Sequence, residues 1–318
     1  MRNRNLFLFF LYSNNMKETI EFYYDLLVED YKEKNDKYYF KAGNCDYVFT
    51  FYNRSLDELE DLCAVILELK GKGISVNEFV QNKKQSYLTG VAGYNYVLLK
   101  IFHANETYDI FDIIKLNDNL MVTADNSRLY RNKWGFLWTK KLDFVESQVN
   151  ELCLEKKVII NSFCYFAGLT EMAISYVNIA DAHYGMFAPK ICLSHRRVFF
   201  PNYKLNYLNP LSFIFDVGVR DVAEYLKYEF LSSPNDAMEE LIIFLRIQKL
   251  NLYEYHLLFA RLLYPSFYFD IFDNVVNNKG EEEHLVKIIN CVDGYEKFLK
   301  KAYQEISKYA PLEKFGFL

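Results

Sequence analysis

The sequence predicts an α+β chain in which a small mixed lobe precedes a large, mostly helical one. Strand-prone runs crowd the region before residue 102, and runs with helical periodicity fill almost everything after it. Gly and Pro supply only 12 and 6 of the 318 residues, which favours long helices over a succession of tight turns.

The chain opens with "MRNRNLFLFFLYSNN", two arginines before a seven-residue apolar run. That run is short for a secretory signal, Ser13-Asn14-Asn15 offers no small-residue cleavage site, and it is far too short to span a bilayer. A buried opening strand or helix of a cytoplasmic protein is expected. Residues 16–33 read as an amphipathic helix, with Ile20, Tyr23, Tyr24 and Leu27 on one face and acids between them. A hairpin follows, Tyr38–Lys41 and Asp46–Tyr52 joined by Ala42-Gly43-Asn44. Ser55 then caps a helix whose first turn is acidic and which ends at Gly71 and Gly73. Residues 76–81, 86–91 and 94–102 are strand-like, the last a nearly continuous apolar run.

The texture changes near residue 104, so the first lobe is assigned to 1–102 and the second to 103–318. Segments 141–156 and 159–182 are helical, and the β-prone "KICLSH" leads into a loop. "RDVAEYLKYEFL" begins another helix, and Ser233 with Pro234 marks the start of the next. Segments 251–264, 266–278, 281–292 and 295–309 continue the helical pattern.

Hydrophobic residues at 51% and charged residues at 25% describe an ordinary globular chain. A net charge of −5, with basic residues clustered only as pairs, excludes a nucleic-acid footprint. Six cysteines in mostly apolar surroundings, without a C-x-x-C pair, read as buried reduced thiols; five scattered histidines add no zinc spacing.

The chemistry-bearing stretch is "LSHRRVFFPN" followed by "FIFDVGVRDVAEYL". Phosphoryl transfer requires metal ligands at the phosphates, a group that orients and deprotonates the acceptor, and a cation on the phosphates. His195, Asn202 and Asp216 stand at spacings suited to such a loop and its metal ligands, and Asp and Asn oxygens suit Mg²⁺. This resembles the aminoglycoside phosphotransferase and choline kinase branch of the protein kinase-like fold, whose loop reads H-G-D-x-x-x-x-N and whose following helix opens D-L-A. Asp221 occupies that helix-opening position. "WGFLWTKKLDFVE" (134–146), "SHRR", "FDVGVRDVAEYLK" (215–227) and "FARLLYPSFYFDIFD" (259–273) are similar to CotS/YutH-type spore-coat kinase-like proteins. The likeness runs through most of the large lobe and more thinly through the small one. It implies a two-lobed kinase-like fold, with metal binding at Asn202 and Asp216 if any is retained, and with His195 and Asp221 bracing the loop.

The departures bear on activity. Arg197 stands where the catalytic Asp belongs, and a guanidinium has no acceptor for a hydroxyl proton. Thr50 falls at the position of the ATP-binding Lys, although Arg54 or Lys41 could substitute. The turn "KAGNCD" has a single glycine for approaching phosphate, and no Walker A pattern occurs.

Each residue has a plainer reading as well. Asp216 could pair with Arg197 or Arg196, Asn202 could cap a turn after Pro201, and His195 could hydrogen-bond to backbone. Asp221 could be a helix N-terminal carboxylate, Trp134 and Trp138 core, and Glu58 and Glu60 first-turn acids.

The leading expectation is a kinase-fold protein without phosphotransferase activity, a pseudokinase-type structural, scaffold or regulatory protein, with no cofactor expected. One alternative is an ATP- and Mg-dependent small-molecule kinase in which Arg197 clamps the γ-phosphate and Asp181 or Asp216 orients the acceptor. The other is an unrelated, mostly helical binding protein. Protein partners are allowed for; nucleic acid and membrane are not expected, and a link to spores rests on the family resemblance alone.

Overall fold

A six-stranded antiparallel sheet carries the first part of the chain. The computed structural model describes residues 16–102, 109–119, 127–152, 156–198, 208–277 and 282–316. Its strands are β1 (Glu29–Lys34), β2 (Lys37–Ala42), β3 (Cys45–Phe51), β4 (Glu78–Val80), β5 (Thr89–Val91) and β6 (Tyr94–Ile101). They lie in the order β1-β2-β3-β6-β4, with β5 also paired to β6. Tight connections set the register. Asn35 and Asp36 join β1 to β2 at φ 52° and 56°, and Ala92 and Gly93 join β5 to β6 at 51° and 85°. Two consecutive left-handed residues match the right-handed twist of a hairpin, a conformation that Asn, Asp and Gly tolerate best.

Helix α1 (Met16–Tyr24) covers one face of this sheet. Met16, Ile20 and Tyr24 bury their side chains with Val28, Tyr38, Phe40, Phe49 and Tyr96. The Phe49 and Tyr96 rings stack at 4.9 Å. Helix α2 (Leu56–Gly71) starts at a complete capping box between Ser55 and Glu58 and buries Leu59, Leu62, Val65, Ile66 and Leu69.

The expected helix over 16–33 is therefore corrected: it ends at Tyr24, and 29–34 is a strand. Asp25 adopts φ 58°, which stops the helix. β1 is an edge strand with almost every side chain exposed, so "EDYKEK" has no apolar alternation to betray it. The expected hairpin turn tightens to Gly43-Asn44, with Gly43 at φ 56°. The opening apolar run lies outside the described residues.

The described residues group into two compact units. One holds 16–102, 127–129 and 208–213; the other holds the remainder. The division is thus not a single cut in the sequence: two short later segments group with the sheet.

The second unit contains α3 (Ile110–Asn119), α4 (Trp134–Leu152), α5 (Lys157–Tyr184), β7 (Ile191–His195), β8 (Phe213–Val217) from its second residue on, α6 (Val219–Ser232) and α7 (Pro234–Ile247). Helices α8 (Leu252–Leu263), α9 (Ser266–Val276), α10 (Glu283–Ile289) and α11 (Val292–Ile306) complete it. Among the described residues, β7 and β8 are the strands that pair there. Helix α8 is central, packing on α5, α6 and α11, and every described side chain from Glu254 to Leu263 is buried. Helix α5 is long and apolar enough to cross a membrane by length and composition. Here it buries Ile159, Phe163, Phe166, Leu169 and Tyr176 along one side, against α4 and α8.

Ser233 occupies the N-cap of α7 as expected, but its side chain makes no capping hydrogen bond; Pro234 at the first helical position is the operative signal. The expectation of buried thiols holds for Cys192 alone among the described cysteines. Cys45, Cys63 and Cys291 are half-buried, Cys164 is exposed on α5, and Cys153 lies outside the described residues. Apolar neighbours in sequence do not fix which side of a helix a residue occupies.

Glu240 on α7 gives this unit a pH dependence. It accepts a hydrogen bond from the Tyr225 hydroxyl at 3.0 Å, while its second oxygen is buried without a partner. Burial pushes its carboxyl up to about 7, with Glu229, Asp109 and Asp236 adding to the rise against the Tyr225 hydrogen bond. A carboxyl whose folded-state value is raised binds more protons folded than unfolded, so stability falls as pH rises through the window from about 4.5 to 7. Glu240→Gln should match the parent at pH 5 and exceed it at pH 8 by on the order of 1 kcal/mol in urea denaturation.

Candidate functional site

Two short strands and one helix start build the site. β7 ends at His195, β8 ends in Asp216-Val217, and α6 begins at Val219. Gly218 between them donates its N–H to the Lys190 carbonyl at 2.9 Å. A side chain at Gly218 would meet Cys192 Sγ at 3.3 Å, so the crossing requires a small residue. β8 is further held by a bridge from Tyr130 to Phe215, and Arg131 donates to the Phe215 carbonyl at 2.9 Å.

Asp216 has no exposed surface. Its Oδ1 accepts from Trp134 Nε1 at 2.9 Å and from the Val217 amide at 2.7 Å. Its Oδ2 accepts from Arg220 Nη1 at 2.7 Å, with the Trp134 indole also within 3.1 Å. Arg220 lies on the first turn of α6, four residues on. Its Nε donates to the His195 carbonyl at 3.0 Å and its Nη2 to the Arg196 carbonyl at 3.2 Å. One planar guanidinium thereby joins the end of β7 to the end of β8. Burial pushes the Asp216 carboxyl upward, against the pull of Arg220, Arg261 and the Trp134 and Val217 donors.

Asp216 thus pairs with Arg220 rather than with Arg197 or Arg196, the partners considered from sequence. Arg197 is exposed and directs Nε to Asp270 Oδ1 at 2.9 Å on α9. Arg197 is thus tied to a different helix, with no direct bond to Asp216.

Asp221 faces the same strand end. Its Oδ1 accepts the His195 amide at 3.1 Å, and its Oδ2 lies 2.6 Å from His195 Nδ1. An ionised carboxylate only accepts, which places that proton on Nδ1. Both residues are fully buried. The carboxylate at this helix start therefore grips the loop by backbone and side chain together.

A second buried polar group adjoins the first. Glu224 Oε1 accepts from Arg261 Nε at 2.6 Å and Lys227 Nζ at 2.9 Å, and its Oε2 accepts from Ser266 Oγ at 2.7 Å. Lys227 also donates to the Arg261 and Tyr264 carbonyls and to Ser266 Oγ. Burial pushes the Lys227 ammonium down to about 8, opposed by Glu224. Despite burial, Lys227 and Arg261 hold the Glu224 carboxyl well below the usual carboxylate range. The Arg261 guanidinium lies 5.1 Å from the Trp134 ring centre and 5.4 Å from that of Trp138. Trp138 stacks on Tyr264 at 4.3 Å. Both tryptophans are core residues, and Trp134 has in addition a polar duty on Asp216.

In the sheet unit, Thr50 is buried on β3, paired across to Lys37 and Val97. Its hydroxyl carries no charge for a phosphate. Arg54, just past β3, buries its side chain; it ion-pairs with Glu58 at 3.1 Å and donates to the Leu211 and Phe213 carbonyls at 3.1 and 2.8 Å. Glu60 is exposed on α2, and Lys41 is an exposed partner of Asp30 at 3.9 Å. Asp181 is exposed on α5 and accepts from Tyr253 at 2.5 Å. Asn202 lies outside the described residues, and no cluster of three or more metal-ligating side chains occurs among those described.

Sequence reasoning missed Arg220, Glu224, Lys227 and Arg261. A signal existed: each is a charge inside an apolar helical run, as in "LLFARLLY" and "AEYLKYEFL". A charge on a buried face requires a partner, which lone spacing rules for catalytic motifs do not seek.

Comparison with known proteins bears on this site. The family model described as "Spore coat putative kinase YutH" matches residues 17–302. The endospore coat-associated protein YutH of Bacillus subtilis (strain 168) is 29% identical over 192 residues, covering 54% of this chain and 56% of that protein. The chain thus spans a little over half the length of that relative. An aminoglycoside phosphotransferase of Alicyclobacillus acidocaldarius superposes with a TM-score of 0.65 at 9% identity, covering 90% of this chain and 94% of that one. A spectinomycin phosphotransferase crystallised with ADP and spectinomycin gives 0.59 at 10% identity, covering 92% and 98%. The fold is that of the two-lobed protein kinase-like phosphotransferases.

The Asp216 geometry separates two stability effects. Asp216→Ala strands the Arg220 guanidinium and the Trp134 N–H in the interior and should cost about 3–5 kcal/mol in denaturant unfolding. Asp270→Ala removes an ion pair whose arginine is exposed and should cost no more than about 1 kcal/mol.

Proposed function

The chain belongs to the YutH family of spore coat kinase-like proteins, and from that premise we propose that it acts as a pseudokinase-type structural or scaffold protein without phosphotransferase activity. One observation carries this reading. The Asp216 carboxylate, at the position of a metal ligand in the kinase-like fold, is neutralised from within by Arg220 and occupied by Trp134 and Val217. A divalent cation could reach it only by displacing a buried guanidinium that also holds the His195 and Arg196 carbonyls. The residues present do not fit bound Mg²⁺ at Asp216.

Two further features support the same reading. Arg197 has no acceptor for a hydroxyl proton and is bonded to Asp270. In the sheet unit the pairing of strand end with helix start is made by Arg54 and Glu58, with the guanidinium also spent on the Leu211 and Phe213 carbonyls. What remains of the kinase framework is bracing: His195 with Asp221, and Arg220 with Asp216. A fold kept rigid without its phosphate chemistry suits a component that is recognised by other proteins. The coat-associated relative suggests the spore coat as the setting.

Thermal denaturation with Mg²⁺ and ATP, paired with an ADP-release assay against a panel of aminoglycoside and aminoalcohol acceptors, tests this. The expected result is a midpoint unchanged within about 1 °C at millimolar nucleotide, and ADP release no faster than in buffer. Saturable stabilisation, together with acceptor-dependent ADP release that Asp216→Asn abolishes, would establish an active kinase instead.

A further inference from the structure

Helix α4 has two different faces. Trp134, Trp138, Val145 and Val149 are buried against the rest of the helical unit. At 3.6 residues per turn the other side presents Phe136, Leu137 and Phe144, which are 61%, 43% and 54% exposed. Large apolar side chains grouped in this way along one helix mark an interaction surface.

Charges border and interrupt the apolar stripe: Lys133 just ahead of the helix, then Lys140, Asp143 and Glu151. All are exposed, and none has an ion-pair partner among the described residues. The Lys140 ammonium lies over the Phe136 ring at 5.2 Å. Lys141, on the flank of the stripe, is by contrast bonded to Asp273 at 2.7 Å.

The charges on the stripe run from positive to negative along the helix, the order that the macrodipole disfavours. No acid stands in the first turn of α4 and no base in the last. The pattern therefore does nothing for a single α4, but it is complementary to its own reversal. Leu142 is midway between Lys133 and Glu151, and also midway between Lys140 and Phe144. A two-fold axis at that level sets each Lys133 beside Glu151 of the partner subunit. It also brings each Lys140 to Asp143 and Phe144 of the partner subunit and opposes the two helix dipoles.

We propose that two copies of this chain associate through α4, packed antiparallel as an isologous dimer. Phe136, Leu137 and Phe144 of the two copies cover one another between the charged ends. A crossing angle near about 20° keeps such a pair in contact along its length. The 19-residue helix is about 28 Å long, a small interface that suits micromolar association. The contact does not depend on the loss of phosphoryl transfer, since it uses the face of α4 turned away from the Trp134 bond to Asp216.

Sedimentation velocity of the full chain from about 1 to 200 µM tests the proposal. A reversible monomer–dimer equilibrium is expected, with a dissociation constant on the order of 10 µM that rises about threefold between roughly 50 and 500 mM NaCl. Phe136→Glu and Phe144→Glu, both at exposed positions, should keep the parent's circular dichroism and remain monomeric over the same range. Lys133→Glu should weaken the dimer about tenfold, because the symmetric contact contains that pair twice. Combining Lys133→Glu with Glu151→Lys should restore it, since each reversed charge then meets a reversed partner. A parent that stays monomeric would overturn the proposal. So would association that the two Phe variants leave intact, growth beyond the dimer, or failure of the combined reversal to restore binding.

Discussion

The structure of the helical unit depends on one buried carboxylate. Asp216 sits at the end of a strand with no solvent contact, where an unpaired charge would cost several kcal/mol. Indole, amide and guanidinium donors converge on it, and each comes from a different place in the fold: α4, β8 itself and α6. Because the Arg220 fork also takes the His195 and Arg196 carbonyls, satisfying the charge fixes the relative position of β7, β8 and the start of α6. The same bonds that make the carboxylate tolerable inside the protein occupy both of its oxygens, which is what the proposed loss of metal binding rests on.

The adjoining network extends this logic. Asp216 is matched by Arg220, Asp221 by His195, and Glu224 by Lys227 and Arg261, all of them buried. Buried ion pairs often add little net stability over a well-packed apolar core, but a fully satisfied network admits few alternative arrangements. Lys227 illustrates the point, with its ammonium donating to Glu224, two carbonyls and Ser266. The Arg261 guanidinium is both bonded to Glu224 and laid against Trp134 and Trp138, so aromatic packing and charge pairing share one side chain. The helical unit is held by polar specificity inside an aromatic core.

The helical framework, unlike this network, was largely legible in the sequence. Helical periodicity, the Ser55 N-cap with its acidic first turn and the Pro234 start signal located helices because they are local, and the apolar run of β6 marked a central strand for the same reason. The loop motif placed His195, Asp216 and Asp221 near one another through the order of residues that the resembled family shares. The edge strand β1 was illegible because its exposed charged residues carry no period-two pattern. The partner of Asp216 was misjudged because proximity in the motif favoured Arg196 or Arg197. The actual partner is set by the geometry of a strand running into a helix, which brings a residue four positions later back over the carboxylate. The ion pairs of Glu224 with Arg261 and of Arg197 with Asp270 join distant segments, and no local pattern encodes them.

The most direct measurement is crystallography of the protein grown with MnCl₂ and a non-hydrolysable ATP analogue, with anomalous scattering collected at the manganese edge. The expected result is no manganese peak within about 2.5 Å of Asp216, and the Arg220 guanidinium still bonded to its carboxylate. A manganese ion coordinated by Asp216, with Arg220 swung away, would contradict the proposal that an internal cation stands in place of the metal.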